Sequence, residues 1–176
     1  MDIKDRRIFK STLSILLIIS LLFSVTSCKR KVKKIDSELF ITTLENQFDI
    51  DEATDGGIGD SYYTVNHHMG IYQTRIVAYI DKAKTNAIYI NYYIYYELDE
   101  AEAHFTSLYN YYYEEDNEEC CGTYATGKSG YFVRANEKVF TASYYYEDMV
   151  IEIHVNSEDQ IELTKTFIEA LELPLE

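Results

Sequence analysis

The stretch Ala87-Ile88-Tyr89-Ile90-Asn91-Tyr92-Tyr93-Ile94-Tyr95-Tyr96-Glu97-Leu98, followed by Asp99-Glu100-Ala101-Glu102, decides how this chain is built. Its even positions read Ile88, Ile90, Tyr92, Ile94, Tyr96 and Leu98, and its odd positions Tyr89, Asn91, Tyr93, Tyr95 and Glu97. A period of two is a strand with unlike faces, here one aliphatic and one tyrosine-rich. Asp99 with Glu102 three residues later has the pattern of a capping box, and Ala101, Phe105, Leu108 and Tyr112 make a helical stripe behind it.

Outward from this unit, the same reasoning finds a helix from Asp36 or Ser37 through Phe40, Leu44 and Phe48. Strand signals follow at Ser61–Met69 and Arg75–Ile80. Glu114–Gly130 is polar and acidic, contains glycine, and reads as a loop. Beyond it lie Tyr131–Ala135, Val139–Tyr146 and Met149–Val155, separated by hairpin-length turns. Ser157 with Gln160 opens a last helix through Ile161, Thr164, Phe167, Ile168 and Leu171, which Pro174 follows. The expected fold is α+β, a mostly antiparallel sheet with three helices packed on one face, in the order α-β-β(-β)-α-β-β-β-α. Ile94–Phe105 and Ile151–Glu162 both run from strand into capped helix, which suggests an internal β-α duplication.

The N-terminus is of a different kind. Lys4, Arg6, Arg7 and Lys10 precede an apolar run from Leu13 to Val25. Thirteen helical residues reach about 20 Å, short of a hydrocarbon core of about 30 Å, so a secretory signal is favoured over a membrane span. Val25-Thr26-Ser27-Cys28 resembles the lipobox of bacterial lipoproteins. That resemblance implies removal of residues 1–27, lipidation (palmitate) of Cys28, and anchoring at the extracytoplasmic side of a bacterial cell membrane. Residues 28–35 would then be a basic tether and 36–176 a single domain. Lys29, Arg30, Lys31, Lys33 and Lys34 would form a collar at the headgroups. Those cations also fit a signal anchor of inverted topology, since positive flanks normally stay cytoplasmic. The short apolar run and the lipobox argue against that alternative.

Charge narrows the partners. Residues 1–34 hold nine of the 16 basic and two of the 30 acidic residues, so the body from Ile35 carries 7 against 28, a net of −21. Such a domain repels phosphate backbones, and nucleic acid is not an expected partner.

Chemistry-bearing residues are few. Asp51, Asp55, Gly56 and Ile58 faintly follow a calcium loop, but Ala53 and Tyr62 stand where ligands are needed, so a turn is the better reading. Adjacent Cys120 and Cys121 lie closer than disulfide geometry favours and supply only half a zinc site. Free thiols lead, ahead of a vicinal or intermolecular disulfide and then metal. His67 and His68 point to opposite faces of a strand, and His104 and His154 stand alone. No HExxH, GxSxG, phosphate-loop or dinucleotide motif occurs. No catalytic residue, metal ligand or cofactor is expected.

Eighteen tyrosines and no tryptophan are the compositional peculiarity. Tyrosine suits strands and tolerates half-exposure. It also gives rigid contact area for recognition. Tyr89, Tyr93 and Tyr95 share the odd face of the defining strand and are the candidate binding face, with Tyr111-Tyr112-Tyr113 and Tyr144-Tyr145-Tyr146 adding to it. The body also resembles small, functionally uncharacterised lipoproteins of Gram-positive bacteria. The likeness runs through Tyr92-Tyr93-Ile94-Tyr95-Tyr96-Glu97-Leu98 into Asp99-Glu100-Ala101 and through Tyr131-Phe132-Val133-Arg134. It implies architecture and address and brings no catalytic residues. The expected function is a membrane-anchored, non-enzymatic binding or accessory module for a protein, peptide or glycan. The alternative is a structural envelope protein that self-associates through its tyrosine face.

Overall fold

The computed structural model describes residues 31–53, 59–81, 88–113, 120–135 and 138–175. The segment read as a signal peptide, Cys28, Lys29 and Arg30 lie outside them, as do Asp55, Gly56 and Ile58. Among the described residues three helices and seven strands follow one another. They are α1 (Ser37–Phe48), β1 (Tyr62–Met69), β2 (Tyr72–Ile80), β3 (Ile88–Tyr95), α2 (Leu98–Tyr113), β4 (Cys120–Thr126), β5 (Ser129–Ala135), β6 (Phe140–Tyr146), β7 (Met149–Val155) and α3 (Glu158–Ala170). The strands form one antiparallel sheet, β1-β2-β3-β7-β6-β5-β4, so two meanders meet where β3 pairs with β7. The expected α+β class and antiparallel sheet are both present.

Register divides the sheet into two faces. Ile88, Ile90 and Tyr92 align with Ile76, Ala78 and Ile80 of β2 and with Ile151, Ile153 and Val155 of β7. This first face is covered by α1 through Phe40 and Leu44 and by α3 through Ile161, Phe167 and Ile168. Phe40 joins the layers, its ring 4.7 Å from that of Tyr92 and 5.7 Å from that of Phe167. The second face carries Tyr93, Tyr95, Val150, Tyr145 and Phe132, and α2 covers it with Ala101 and Phe105.

The helices therefore lie on both faces, two on the first and one on the second, where all three were expected on one. The stripe of α2 is aromatic and matches the aromatic odd face, whereas the aliphatic first face is already filled by α1 and α3. This arrangement also argues against a duplicated unit. Exchanging antiparallel neighbours β3 and β7 requires a two-fold axis normal to the sheet, which would leave α2 and α3 on the same face.

Two further expectations are corrected. The segment read as a loop contains β4, an edge strand paired with β5 through a two-residue turn at Gly127 and Lys128. Gly127 takes the positive φ of 48° that the turn requires. Cys120 and Cys121 open this strand, at a bulge. The basic stretch read as a tether is part of the fold from Val32 onward. Val32 and Ile35 are buried in the first core, Lys33 pairs with Glu172, and Lys34 reaches Asp148 at 2.7 Å.

Caps differ in detail. Asp36 caps α1, accepting from the Glu38 N–H at 2.8 Å. Asp99 lies within the first turn of α2 instead of before it, its carboxylate accepting from the Glu100 N–H. Ser157 stands at the N-cap of α3 without a side-chain cap bond, and the Gln160 amide donates to Asp81 instead of closing a box.

Candidate functional site

Tyrosines on the first face act as structural clasps. Tyr92 donates its hydroxyl to the Ile35 carbonyl at 2.9 Å, and Tyr144 donates to the Pro174 carbonyl at 2.8 Å. Each buried phenol thus satisfies its polar end on a backbone carbonyl, one fixing the segment that leads into α1 and the other the segment that follows α3. Strand alternation separates the run at 144–146, with Tyr144 and Tyr146 on the first face and Tyr145 on the second.

The candidate binding tyrosines share the second face but not the expected exposure. Tyr93 and Tyr95 are 7% and 3% exposed, whereas Tyr89 is 36% exposed. His104 of α2 packs across the first two, its ring 5.1 Å from Tyr93 and 5.9 Å from Tyr95, and its Nδ1 lies 2.6 Å from the Tyr95 hydroxyl. Burial holds the His104 pKa below its ordinary value and raises that of Tyr95. Tyr93 and Tyr95 are core residues of the α2 layer, and Tyr89 alone of the three reaches solvent.

Beside the α2 layer the second face carries a polar strip with an aromatic margin, in which Tyr62, Val77, Thr141 and Ser143 are buried and Tyr89, Asn91, Glu152 and His154 are at least partly exposed. One row of the register runs Tyr62, Tyr79, Tyr89, His154 and Thr141, and the next runs Val77, Asn91, Glu152 and Ser143. Three tyrosine rings form a ladder along the first row, with centroids 5.3 and 5.4 Å apart. Glu152 is half-buried and accepts from Asn91 Nδ2 at 3.2 Å. Burial raises its pKa, against the opposing pull of the Asn91 hydrogen bond and the Arg75 charge. Arg75 lies between the Tyr72 and Tyr93 rings, 5.9 and 5.7 Å from their centroids, a cation–π arrangement. Its Nε is buried without a hydrogen-bond partner. Tyr93, buried beside Glu152, is pushed up to about 12 despite Arg75. His154 is held low by burial, and its Nδ1 lies 3.0 Å from Thr141 Oγ1.

Ser143, Glu152 and His154 occupy one face, so a nucleophile and a base share this strip. They are not assembled as a catalytic group. Ser143 Oγ is wholly buried without a hydrogen-bond partner, and the His154 Nδ1 is turned to Thr141. The strip can offer a ligand carboxylate, amide and guanidinium groups beside flat tyrosine rings. A separate cleft of about 330 Å³ lies between α2 and the β4–β5 turn, lined by Glu102, Phe105, Thr106, Tyr109, Asn110 and Tyr145 among others.

The histidine pair on β1 is less divided than strand alternation implies. His68 has a φ of 53°, and this kink leaves the two rings 6.4 Å apart. His67 meets Thr74, and His68 meets the Tyr96 hydroxyl. Among the described residues no group of three or more histidine, cysteine or acidic side chains could hold a metal ion. Nor is any helix among them long and apolar enough to cross a membrane.

Glu152, His154 and Arg75 were not singled out together by sequence reasoning. The signal was present as polar residues at alternate positions of otherwise apolar strands, Glu152 and His154 in Met149–Val155 above all. No protein-family model matches the chain, and no curated protein matches it. A GTP binding regulator from Thermotoga maritima resembles it in solved structure at a TM-score of 0.40 and 9% identity, over 80% of this chain and 90% of that one.

Proposed function

We propose that this chain is a bacterial lipoprotein, anchored through Cys28 at the extracytoplasmic side of the cell membrane, whose domain is a non-enzymatic binding module. The ligand surface in this reading is the partly exposed stretch of that strip, from Tyr89 across Asn91 and Glu152 to His154. The observation that carries the binding role is a row of half-buried polar side chains in mid-sheet, Asn91, Glu152 and His154, beside two buried polar atoms of the same face, Arg75 Nε and Ser143 Oγ, that have no hydrogen-bond partner. Desolvated polar groups without partners are costly in a fold that uses them for nothing. A ligand with amide, hydroxyl or carboxylate groups, such as a peptide or glycan, would complete them. Self-association by stacking two tyrosine faces is disfavoured, because α2 stands on that face and prevents a flat approach.

Two measurements test this reading. Replacing Cys28 with Ala should abolish palmitate incorporation and signal-peptide removal, and normal labelling of the variant overturns the anchor. A photo-crosslinking residue at position 89, in the envelope of living cells, should give a discrete adduct that the same residue at position 163 of α3 does not. Absence of any adduct at 89 overturns the binding surface, and an adduct of twice the chain mass would favour self-association.

A further inference from the structure

The strands deliver several loops to one end of the sheet. The β1–β2 turn, the β3–α2 connection and the β6–β7 turn all lie there, as register requires. Four large apolar side chains are exposed at this end: Met69 (41%), Ile71 (45%), Tyr96 (49%) and Leu98 (54%). They sit on adjoining turns, those of β1–β2 and β3–α2. Ile71 is at the tip of the β1–β2 turn, and its carbonyl accepts the Tyr96 N–H at 3.2 Å; Leu98 opens α2 two residues later. Tyr96 has the amphipathic form suited to a water–lipid boundary, an apolar ring with its hydroxyl engaged by His68.

The N-terminal segment enters the fold at the same end. Lys34 pairs with Asp148 in the β6–β7 turn, and the Asp148 carbonyl accepts the Tyr95 N–H at 2.8 Å. Lys33 pairs with Glu172, just past the end of α3. Val32 is already core, so only three residues separate it from Cys28. Four Cα steps span at most about 13–14 Å. Resting on the lipid-anchor reading above, this short span cannot let the domain swing away from the bilayer or turn a different end toward it.

We infer that the end of the sheet bearing Met69, Ile71, Tyr96 and Leu98 is a docking surface for the bilayer that carries the anchor. The occupant is the interfacial layer of the membrane, entered by apolar side chains to a depth of about 5–10 Å. Electrostatic attraction is not the driving term, since Glu97, Asp99 and Glu100 flank the patch. The arrangement stands the strands on end. Tyr89 lies six residues up β3 from Tyr95, about 20 Å farther from the membrane, so the polar strip faces outward.

The chain contains no tryptophan, so single substitutions report on their own positions. Ile71→Trp and Leu98→Trp, with Leu163→Trp on α3 as reference, would be made in the full chain and purified with its lipid. Each would be reconstituted into phosphatidylethanolamine–phosphatidylglycerol vesicles with brominated acyl chains. Tryptophan at 71 and 98 should shift its emission to the blue and be quenched at least twofold relative to unbrominated vesicles, while that at 163 is unaffected. Both variants alter exposed positions, and unchanged far-UV circular dichroism confirms that they fold. If the preparation carries lipid at Cys28 and sediments with vesicles, yet 71 and 98 are unquenched, the docking surface is refuted and the anchor stands. If the mass of the preparation shows no lipid at Cys28, the anchor fails and the docking surface with it. A blue shift that grows with protein concentration without bromine quenching would mean that a second copy of the chain covers the patch, which also refutes it.

Discussion

Replacing Phe105 with Ala probes the unexpected layer of this fold, the α2 helix on the second face. Phe105 is 4% exposed, and its ring lies 5.5 Å from Tyr145 and 6.0 Å from Phe132. Truncation removes most of a buried aromatic side chain and leaves a space that the sheet, fixed by its ladder, cannot close. Such changes cost about 3–5 kcal/mol. For a domain of this size about 3 °C per kcal/mol applies, so the thermal midpoint should fall by about 9–15 °C. The assay is thermal and urea unfolding by circular dichroism, joined to hydrogen exchange that resolves α2 from α1. Protection should fall first in α2, because the first-face core around Phe40, Phe167 and Tyr92 does not touch Phe105. Leu163→Ala, at an exposed position of α3, should stay within about 0.5 kcal/mol and serves as the reference. A Phe105→Ala cost below about 1 kcal/mol, or uniform loss of protection, would refute an α2 layer packed on the second face.

Other outcomes follow from the same geometry. Tyr93→Ala should be nearly as costly as Ile90→Ala, about 2–5 kcal/mol by urea unfolding, because both side chains are buried on opposite faces; a Tyr93→Ala cost near that of a surface change would mean that this ring is open to water. Glu152→Gln should stabilise the domain relative to wild type at pH 8, with the advantage shrinking as pH falls. The Glu152 pKa is raised on folding, so the fold binds this proton more tightly than the unfolded chain, and the wild type recovers stability as pH drops through the folded value. His104 and His154, whose pKa values are lowered, act oppositely below about pH 6.5, but they are common to both proteins and cancel in the difference. A difference that does not change with pH would refute a buried Glu152 charge. Replacing both Cys120 and Cys121 with Ser should cost under about 1 kcal/mol in thermal unfolding, since a bond between neighbours closes no loop; a larger loss would show that the pair is buried or ligates a metal.

Legibility in the sequence followed the strength of the local periodicities. Met149–Val155 was readable to the residue, and β3 nearly so, because both are rich in β-branched or aromatic residues and carry a period of two over most of their length. The extrapolation past Tyr95 failed. Tyr96 and Leu98 continue the even pattern, yet the strand ends there and both side chains stand in solvent at the turn. β4 was missed because Cys120-Cys121-Gly122-Thr123-Tyr124-Ala125-Thr126 has no alternation, as an edge strand with little to bury often lacks. Its one signal was the Thr126-Gly127-Lys128-Ser129 turn. The side on which α2 lies could not be read, since a tyrosine-rich face suits water or an aromatic helix equally well. Val32 and Ile35 were lost among lysines, where a charge run hid two core residues at i, i+3 spacing. The polar strip depends on β3 lying beside β7, a pairing across some sixty residues that no local pattern encodes.

The mass of the intact chain extracted from the membrane fraction of the cells that make it bears most directly on what the protein is. It should equal that of residues 28–176 plus a thioether-linked diacylglycerol at Cys28, with or without an N-acyl group, and the lipid should map to the N-terminal peptide. A chain that retains Met1, or one that begins elsewhere and carries no lipid, would contradict the anchored binding module.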